Sequence, residues 1–323
     1  MPQSSFPHLI APMKATNGEL PTGPGWQHEL KWDGMRLLVH IHDGELTLRS
    51  SNQLDVTVRF PELAGLADAF GGRDIVLDGE AVALDETGRP DFAVLQQRMH
   101  ISDPVEAQRR SVVIPAALQI FDLLYFDGHD LMGLPLADRR RTLEALVEDG
   151  PAWRVTTAHD DGAPLLALAD EQDLEGVVSK KLDSLYRPGS RSSAWRKVKI
   201  RRHQEFVVGG WAAGEGQRRG RLGSLLVGYY DDRGGLRYAG RVGSGFSQAE
   251  LRRLLDRLQP HERVTSPFAE ELPRADLVGA TFVDPVMVVE VAYAEWSPIG
   301  RLRHPSYLGE RIDADPSAVT SEI

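Results

Sequence analysis

Three Asp-Gly dipeptides set between or beside short apolar runs constrain the first half of this 323-residue chain more than any other feature. Asp-Gly accommodates the positive φ of a tight hairpin turn, so the runs on either side of it fold back on one another. Arg36 to Ile41 and Glu45 to Arg49 meet at Asp43-Gly44, and Ile75 to Leu77 and Glu80 to Leu84 flank Asp78-Gly79. Leu118 to Phe126 ends at Asp127-Gly128. Strands joined by such turns pair antiparallel, which argues against the helix–strand alternation of a parallel sheet. Apolar residues three and four apart predict helices at Phe60 to Phe70, Phe92 to Gln97 and Leu136 to Val147, and Leu174 to Leu182 reads as a further strand. The expectation is an α+β domain rich in antiparallel strands.

After His203 the texture changes to short strands with glycine-rich turns: Glu205 to Trp211, Leu222 to Tyr230, Leu236 to Arg241 and Val286 to Tyr293. One helix interrupts them, opened by a Ser247/Glu250 capping box and running to Leu258. Four or five strands with one helix in about 110 residues fit a small Greek-key barrel of the OB type. The expected organisation is a first domain over 1–202, a barrel domain over 203–314 and a flexible tail over 315–323.

Charge separates the two regions. The formal net charge is −10, yet the 37 basic residues divide into 31 arginines and 6 lysines. Eleven basic residues against four acidic ones between Arg196 and Arg241 give a local net of +7, the footprint of a polyanionic partner such as nucleic acid. The chain has no cysteine, which excludes disulfides, cysteine-ligated metal and thiol catalysis and fits a reducing, cytoplasmic setting. No apolar run approaches the roughly 18 residues of a membrane span, so no membrane association is expected.

In a chain that otherwise places positive charge on arginine, a lysine marks a place where a group able to lose its proton is wanted. The six are Lys14, Lys31, Lys180, Lys181, Lys197 and Lys199. Lys31 and Asp33 project to one side of an extended segment that ends at Gly34. Such a pair is ordinarily a salt bridge. A lysine that attacks phosphorus needs neighbouring cations to disfavour its ammonium form, and Lys180, Lys197 and Lys199 can supply them. Lys197 and Lys199 alternate along a strand and face one way with Trp195, an arrangement suited to an α-phosphate or pyrophosphate. Glu80 and Glu175 are oxygen donors for a divalent cation or a ribose hydroxyl, and Phe121 either packs in the core or stacks on a base.

Seven segments in order make the chain resemble the ATP-dependent DNA ligases of the nucleotidyltransferase superfamily, above all the small bacterial ligases and the ligase module of bacterial end-joining proteins. Lys31-Trp32-Asp33-Gly34-Met35-Arg36 is similar to K-x-D-G-x-R, Asp78-Gly79-Glu80 to D-G-E, and Phe121-Asp122-Leu123-Leu124 to the aromatic adenine-stacking motif. Glu175-Gly176-Val177-Val178-Ser179-Lys180 is similar to E-G-x-x-x-K, and Trp195-Arg196-Lys197-Val198-Lys199 to the paired-lysine motif. Gly243 to Phe246 and Leu302 to Arg311 resemble segments of the OB domain. The resemblance implies a nucleotidyltransferase domain followed by an OB-fold domain, with Lys31 attacking the α-phosphate of ATP and Asp33 placing it. Arg36 and Glu80 would meet the ribose, main-chain atoms near Glu29 the adenine edge, and Phe121 its face. Lys180, Lys197 and Lys199 would line the α-phosphate, Glu175 and Glu80 would hold Mg²⁺ or Mn²⁺, and Arg301 and Arg303 would orient pyrophosphate when the OB domain closes.

Two departures stand out. Ser50-Ser51-Asn52-Gln53 replaces the usual S-R-N-G, with Arg49 one residue upstream as a substitute, and Asp313-Ala314 replaces a terminal D-K. The implied partners are nicked duplex DNA and a DNA-end-binding protein or repair polymerase, bound by a monomeric bacterial enzyme that joins the nucleoid when it acts. With 30 residues ahead of Lys31, the expectation is a minimal ligase gripping DNA with these two domains alone. The alternatives are an RNA ligase or capping-type guanylyltransferase, which share the lysine chemistry, and a non-catalytic OB nucleic-acid binder.

Overall fold

The computed structural model describes residues 4–172, 174–200, 202–214 and 222–321. The chain divides into two compact units, Met1–Ile200 and Arg201–Ile323, a division two residues ahead of the expected boundary. Arg201, Arg218, Arg219 and Arg221 of the basic stretch lie outside the described residues. Among the described residues no helix is long and apolar enough to cross a membrane.

The first unit runs through strands β1 (Lys14–Asn17), β2 (Trp26–Leu30), β3 (Met35–His42), β4 (Glu45–Ser50), β5 (Ile75–Ala83), β6 (Ala116–Phe126), β7 (His129–Asp130), β8 (Trp153–Val155), β9 (Gly176–Lys181) and β10 (Arg191–Lys199). Its helices are α1 (Leu66–Ala69), α2 (Phe92–Gln96), α3 (Pro104–Val113), α4 (Leu136–Leu146) and α5 (Gly162–Glu171). One sheet has the order β1-β10-β9-β2, and the other β4-β3-β5-β6-β7 with β8 beside β6. Pairing is antiparallel except between β1 and β10 and between β6 and β8. Leu38, Val76, Phe121, Leu124, Tyr125 and Trp195 from both sheets share one buried cluster with Met13 and Tyr186. The site is therefore built where strands of two sheets converge.

Two sequence expectations change here. Asp78-Gly79 is not a turn: β5 runs straight through it, because Asp78 is fully buried against Arg36 and a Cβ on Gly79 would lie 2.9 Å from the Gln119 carbonyl oxygen. The helix predicted over Phe60 to Phe70 is instead a single turn, Pro61–Leu63, followed by the short α1, as Pro61 and Gly65 interrupt it.

The second unit comprises β11 (His203–Ala213), β12 (Leu222–Tyr230), β13 (Leu236–Val242), α6 (Gln248–Leu258), β14 (Glu262–Arg263), α7 (Arg274–Leu277), β15 (Ala280–Ala292), β16 (Glu295–Trp296), β17 (Leu302–Arg303) and β18 (Ser306–Glu310). Its antiparallel sheet has the order β13-β12-β11-β15-β14, with β18 also on β15, and is of the OB type. Period-2 alternation fills both faces. Phe206 and Val208 join Leu251, Leu254 and Leu258 of α6 on one side, while Val207 packs with Tyr238, Phe268 and Val319 on the other.

The described part of the expected loose tail is instead docked. Asp315 caps the Pro316–Ala318 turn through the Ser317 amide, Tyr230 donates its amide to the Val319 carbonyl at 2.8 Å, and Val319 is 4% exposed. The apolar Val319 covers a sheet face that would otherwise meet water.

Candidate active site

Lys31 continues the line of β2, its amide donating to the Gly176 carbonyl at 2.9 Å. That bond and the β2–β9 register bring it beside Glu175, and the Lys31 amine ion-pairs with the Glu175 carboxylate. Both side chains are largely buried, at 18% and 8% exposure, so the pair sits in a medium where its attraction is stronger than on an open surface. Asp33 is half-buried in the connection to β3. Lys197 and Lys199 are half-buried on β10, in register with Val178 and Gly176 of β9. Alternation puts both on one strand face, with Trp195 two residues before them. The structure thus brings Lys31 and Glu175, at the ends of β2 and β9, beside the β10 strand that carries Lys197 and Lys199.

Lys180 is further in, 2% exposed, and donates to Glu29 at 2.7 Å. Burial lowers its pKa, and the Glu29 and Asp122 carboxylates partly offset this. Glu29 is 3% exposed, also accepts from the Gln27 amide at 2.8 Å, and its strand pairs it with Val178. The Lys180 amine lies 4.1 Å from the Phe121 ring centroid, and the Arg36 guanidinium 4.5 Å from it. Phe121 is 7% exposed and belongs to the core cluster, so in this arrangement it is a shelf for two cations.

Arg36 faces Glu80 across the β3–β5 ladder, but its guanidinium is engaged with Asp78, in a bidentate pair whose Nη2 arm is 2.6 Å. Burial disfavours its charge, yet Asp78 more than compensates, and its pKa is raised. Glu80 is half-buried. Arg301 and Arg303 belong to the second unit. Arg301 donates to the Tyr238 carbonyl at 2.6 Å and pairs with Glu270 at 3.2 Å, whereas Arg303 is exposed beside Glu295 at 3.3 Å.

Sequence reading missed the supports. Tyr186 donates its hydroxyl to Asp78 at 2.7 Å and accepts from the Met13 amide at 3.0 Å, fixing the carboxylate that fixes Arg36. Asp122 and Arg139 form a fully buried bidentate pair, and Arg139 also donates to the carbonyls of Leu134 and Ser184. Removing either partner leaves a buried charge uncompensated, at about 3–5 kcal/mol. The adjacency of Asp122 to Phe121 was a usable signal; no local pattern marks Tyr186 or Arg139.

The oxygen donors of Glu175 and Glu80 suit a hard dication, which takes carboxylates together with water. The set as a whole offers an amine, paired cations and carboxylates, the chemistry of phosphoryl transfer to nitrogen.

Comparisons with known proteins point the same way. A family model described as ATP dependent DNA ligase domain matches residues 7–199, and one described as ATP dependent DNA ligase C terminal region matches 218–314. The chain is 43% identical over 315 residues to the multifunctional non-homologous end joining DNA repair protein LigD of Mycobacterium tuberculosis, covering 97% of this chain and 40% of that one. It is 36% identical over 303 residues to a DNA ligase of Natronomonas pharaonis, covering 91% and 53% respectively. Among solved structures, a mycobacterial DNA ligase D complexed with ATP and MES has a TM-score of 0.67 at 41% identity, covering 96% of this chain and 98% of that one. The ligase domain of M. tuberculosis LigD has a TM-score of 0.51 at 42% identity, covering 97% and 98%. The chain spans about two fifths of the length of the end-joining relatives it matches.

Proposed function

Because the chain belongs to the ATP-dependent DNA ligase family, we propose that it seals nicks in duplex DNA through a covalent lysyl-AMP formed on Lys31. The observation that supports this most directly is the Lys31 amine held against Glu175 on strands that also present Lys197 and Lys199. Three displacements at phosphorus complete the cycle. The Lys31 amine, once it has shed its proton, forms an N–P bond to the α-phosphorus of ATP as the bond to pyrophosphate breaks. A 5′-phosphate oxygen then displaces the lysine, and the 3′-hydroxyl finally displaces AMP. Storing the activated phosphoryl group on the chain separates the use of ATP from the search for a nick.

In this reading Lys197 and Lys199 offset charge redistributed on the α-phosphate, and Asp33 places Lys31. Lys180 reaches the phosphate by exchanging Glu29 for it. Arg36 meets the ribose together with Glu80, from a guanidinium already held by Asp78 and Tyr186. Phe121 stacks on adenine, main-chain atoms at Glu29 read its edge, and Arg301 and Arg303 serve the pyrophosphate. A Mg²⁺ or Mn²⁺ ion held by Glu175 and Glu80 would neutralise phosphate charge when bound. The names of the relatives support placement in end joining; a bacterial cytoplasmic setting and a DNA-end-binding protein or repair polymerase as companion belong to the same proposal.

The test is direct. Incubation with α-labelled ATP and a divalent cation gives a labelled protein that Lys31→Ala and Lys31→Arg do not give; label retained in both variants overturns the assignment. Comparing ATP with GTP as donor, and nicked DNA with nicked RNA as acceptor, separates this reading from the RNA-ligase and capping alternatives.

A further inference from the structure

The metal-ligating side chains of the first unit do not all belong to the site above. At the end of β3 away from Met35, the Asp43-Gly44 turn brings His42 and Asp43 against Asp74, which stands immediately ahead of β5. One ligand atom from each of the three lies within 4.8 Å of the other two. Asp74 Oδ2 is 3.0 Å from Nδ1 of His42, and Asp43 Oδ2 is 3.7 Å from its Nε2. Asp74 also accepts the Asp43 amide at 3.2 Å, so one carboxylate both holds the turn and faces the ring. Among the described residues neither aspartate is paired with a lysine or an arginine, which leaves their charge to be met by His42 or by a cation.

The two ring nitrogens of His42 are not equivalent. Nδ1 is a buried atom, and the Asp74 carboxylate beside it, although out of line for a hydrogen bond, favours the proton on that side. Nε2 keeps its lone pair and faces Asp43, which is exposed. A carboxylate behind an imidazole is the arrangement that orients a metal-ligating histidine.

A second imidazole stands next to the first. The His8 ring centroid is 5.3 Å from that of His42, and Phe6, stacked on His42 at 4.3 Å, is also 5.3 Å from His8. The equal distances put His8 alongside the stacked pair, and His8 is exposed. Two imidazoles on one tetrahedral ion, each with a metal–nitrogen distance of about 2.0–2.1 Å, have their centroids about 5 Å apart, which is the spacing these two rings already have.

We propose that His8, Nε2 of His42 and Asp43 bind a borderline transition dication of the Zn²⁺ type, with Asp74 orienting His42 from behind. Imidazole nitrogen suits such ions, whereas Mg²⁺ and Mn²⁺ prefer oxygen throughout, so the chemistry differs from that of Glu175 and Glu80. His42 is also six residues from Arg36 along β3, about 20 Å, so the ion does not meet the phosphate site. Once bound, it ties the segment that carries Phe6 and His8 to the β3–β4 turn. That segment continues to Met13, whose carbonyl accepts from Arg36 at 3.4 Å.

The test is calorimetric titration of the whole chain, stripped with a chelator, with ZnCl₂ in the presence of excess Mg²⁺, which keeps carboxylate sites filled. One saturable Zn²⁺ site is expected, weakened about tenfold or more by His8→Ala and by His42→Phe, the latter keeping a ring stacked on Phe6. Asp74→Asn retains an acceptor for the Asp43 amide but loses the charge behind the imidazole, and weakens binding about 10–100-fold. Exchange of the Phe6, His8 and Leu9 amides with deuterium slows when Zn²⁺ is added to the parent chain and not when it is added to His42→Phe. Wild-type affinity in any of the three variants, displacement of Zn²⁺ by Mg²⁺, or no saturable heat overturns the proposal. Because His8 is exposed, His8→Ala decides the matter even where another variant fails to fold.

Discussion

Gln53, at the glycine position of the S-R-N-G pattern from which Ser50 to Gln53 depart, holds a left-handed backbone at φ +63°, and its side chain donates to the Ile10 carbonyl at 2.6 Å. The loop keeps the shape without the usual residue because that hydrogen bond offsets the left-handed strain of about 1–2 kcal/mol. Arg49 does not replace the missing arginine freely, since it donates to the Gln53 carbonyl at 3.1 Å. Gln53→Ala, which keeps the strain and loses the bond, is expected to destabilise by about 1 kcal/mol, and Gln53→Gly by less, as measured by urea unfolding of the two variants. His40 gives a pH signature. It is 4% exposed, and burial, assisted by the charges of Arg49 and His8 against the Leu38 carbonyl, lowers its pKa to about 4. As pH falls below 6.5 the unfolded chain takes up a proton that the folded chain refuses, so stability declines until pH reaches the folded value. The loss from this residue is about 3 kcal/mol. His40→Phe is expected to flatten that part of the stability–pH curve; an unchanged slope between pH 6.5 and 4 refutes the attribution.

Strand β9 depends on its first residue. Gly176 has φ +144°, and a Cβ there would fall 2.1 Å from the Val198 carbonyl oxygen, inside the β9–β10 ladder that sets Lys197 and Lys199. Gly176→Ala is expected to cost about 1–3 kcal/mol in a thermal melt and to reduce lysyl-AMP formation, because the Gly176 carbonyl also anchors Lys31. Local chemistry was readable where it is self-sufficient: Asp43-Gly44 and Asp127-Gly128 are turns with both residues at positive φ, and Ser247 caps α6 as its sequence suggests. It misled at Asp78-Gly79, where a distant Arg36 and Tyr186 hold the aspartate inside a strand. Helix α3 had a readable start in its Asp103 cap and Pro104, but Val105, Val112 and Val113 are exposed while Ala107 and Ser111 are buried. Its apolar residues therefore do not mark its packed face. The lysines proposed for the site stand out through their scarcity, whereas the buried pairs that orient their neighbours depend on contacts far apart in sequence.

For the chain as a whole, a net charge of −10 coexists with a +7 stretch from Arg196 to Arg241. Reversing Arg218, Arg219 and Arg221 to glutamate is expected to weaken binding to nicked duplex and flatten its dependence on salt, with adenylation of Lys31 unaltered. Equal loss of both, by gel-shift and adduct assays, counts against a DNA-gripping role for that stretch. Burial grades the six lysines as well. Lys14 and Lys181 are exposed, Lys31, Lys197 and Lys199 half-buried, and Lys180 almost wholly enclosed. An acylating reagent therefore meets Lys14 and Lys181 first and the amines proposed for the site in order of access. With so few amines, a mass spectrum of the time course becomes a map of solvent access to the proposed site, read without any introduced label.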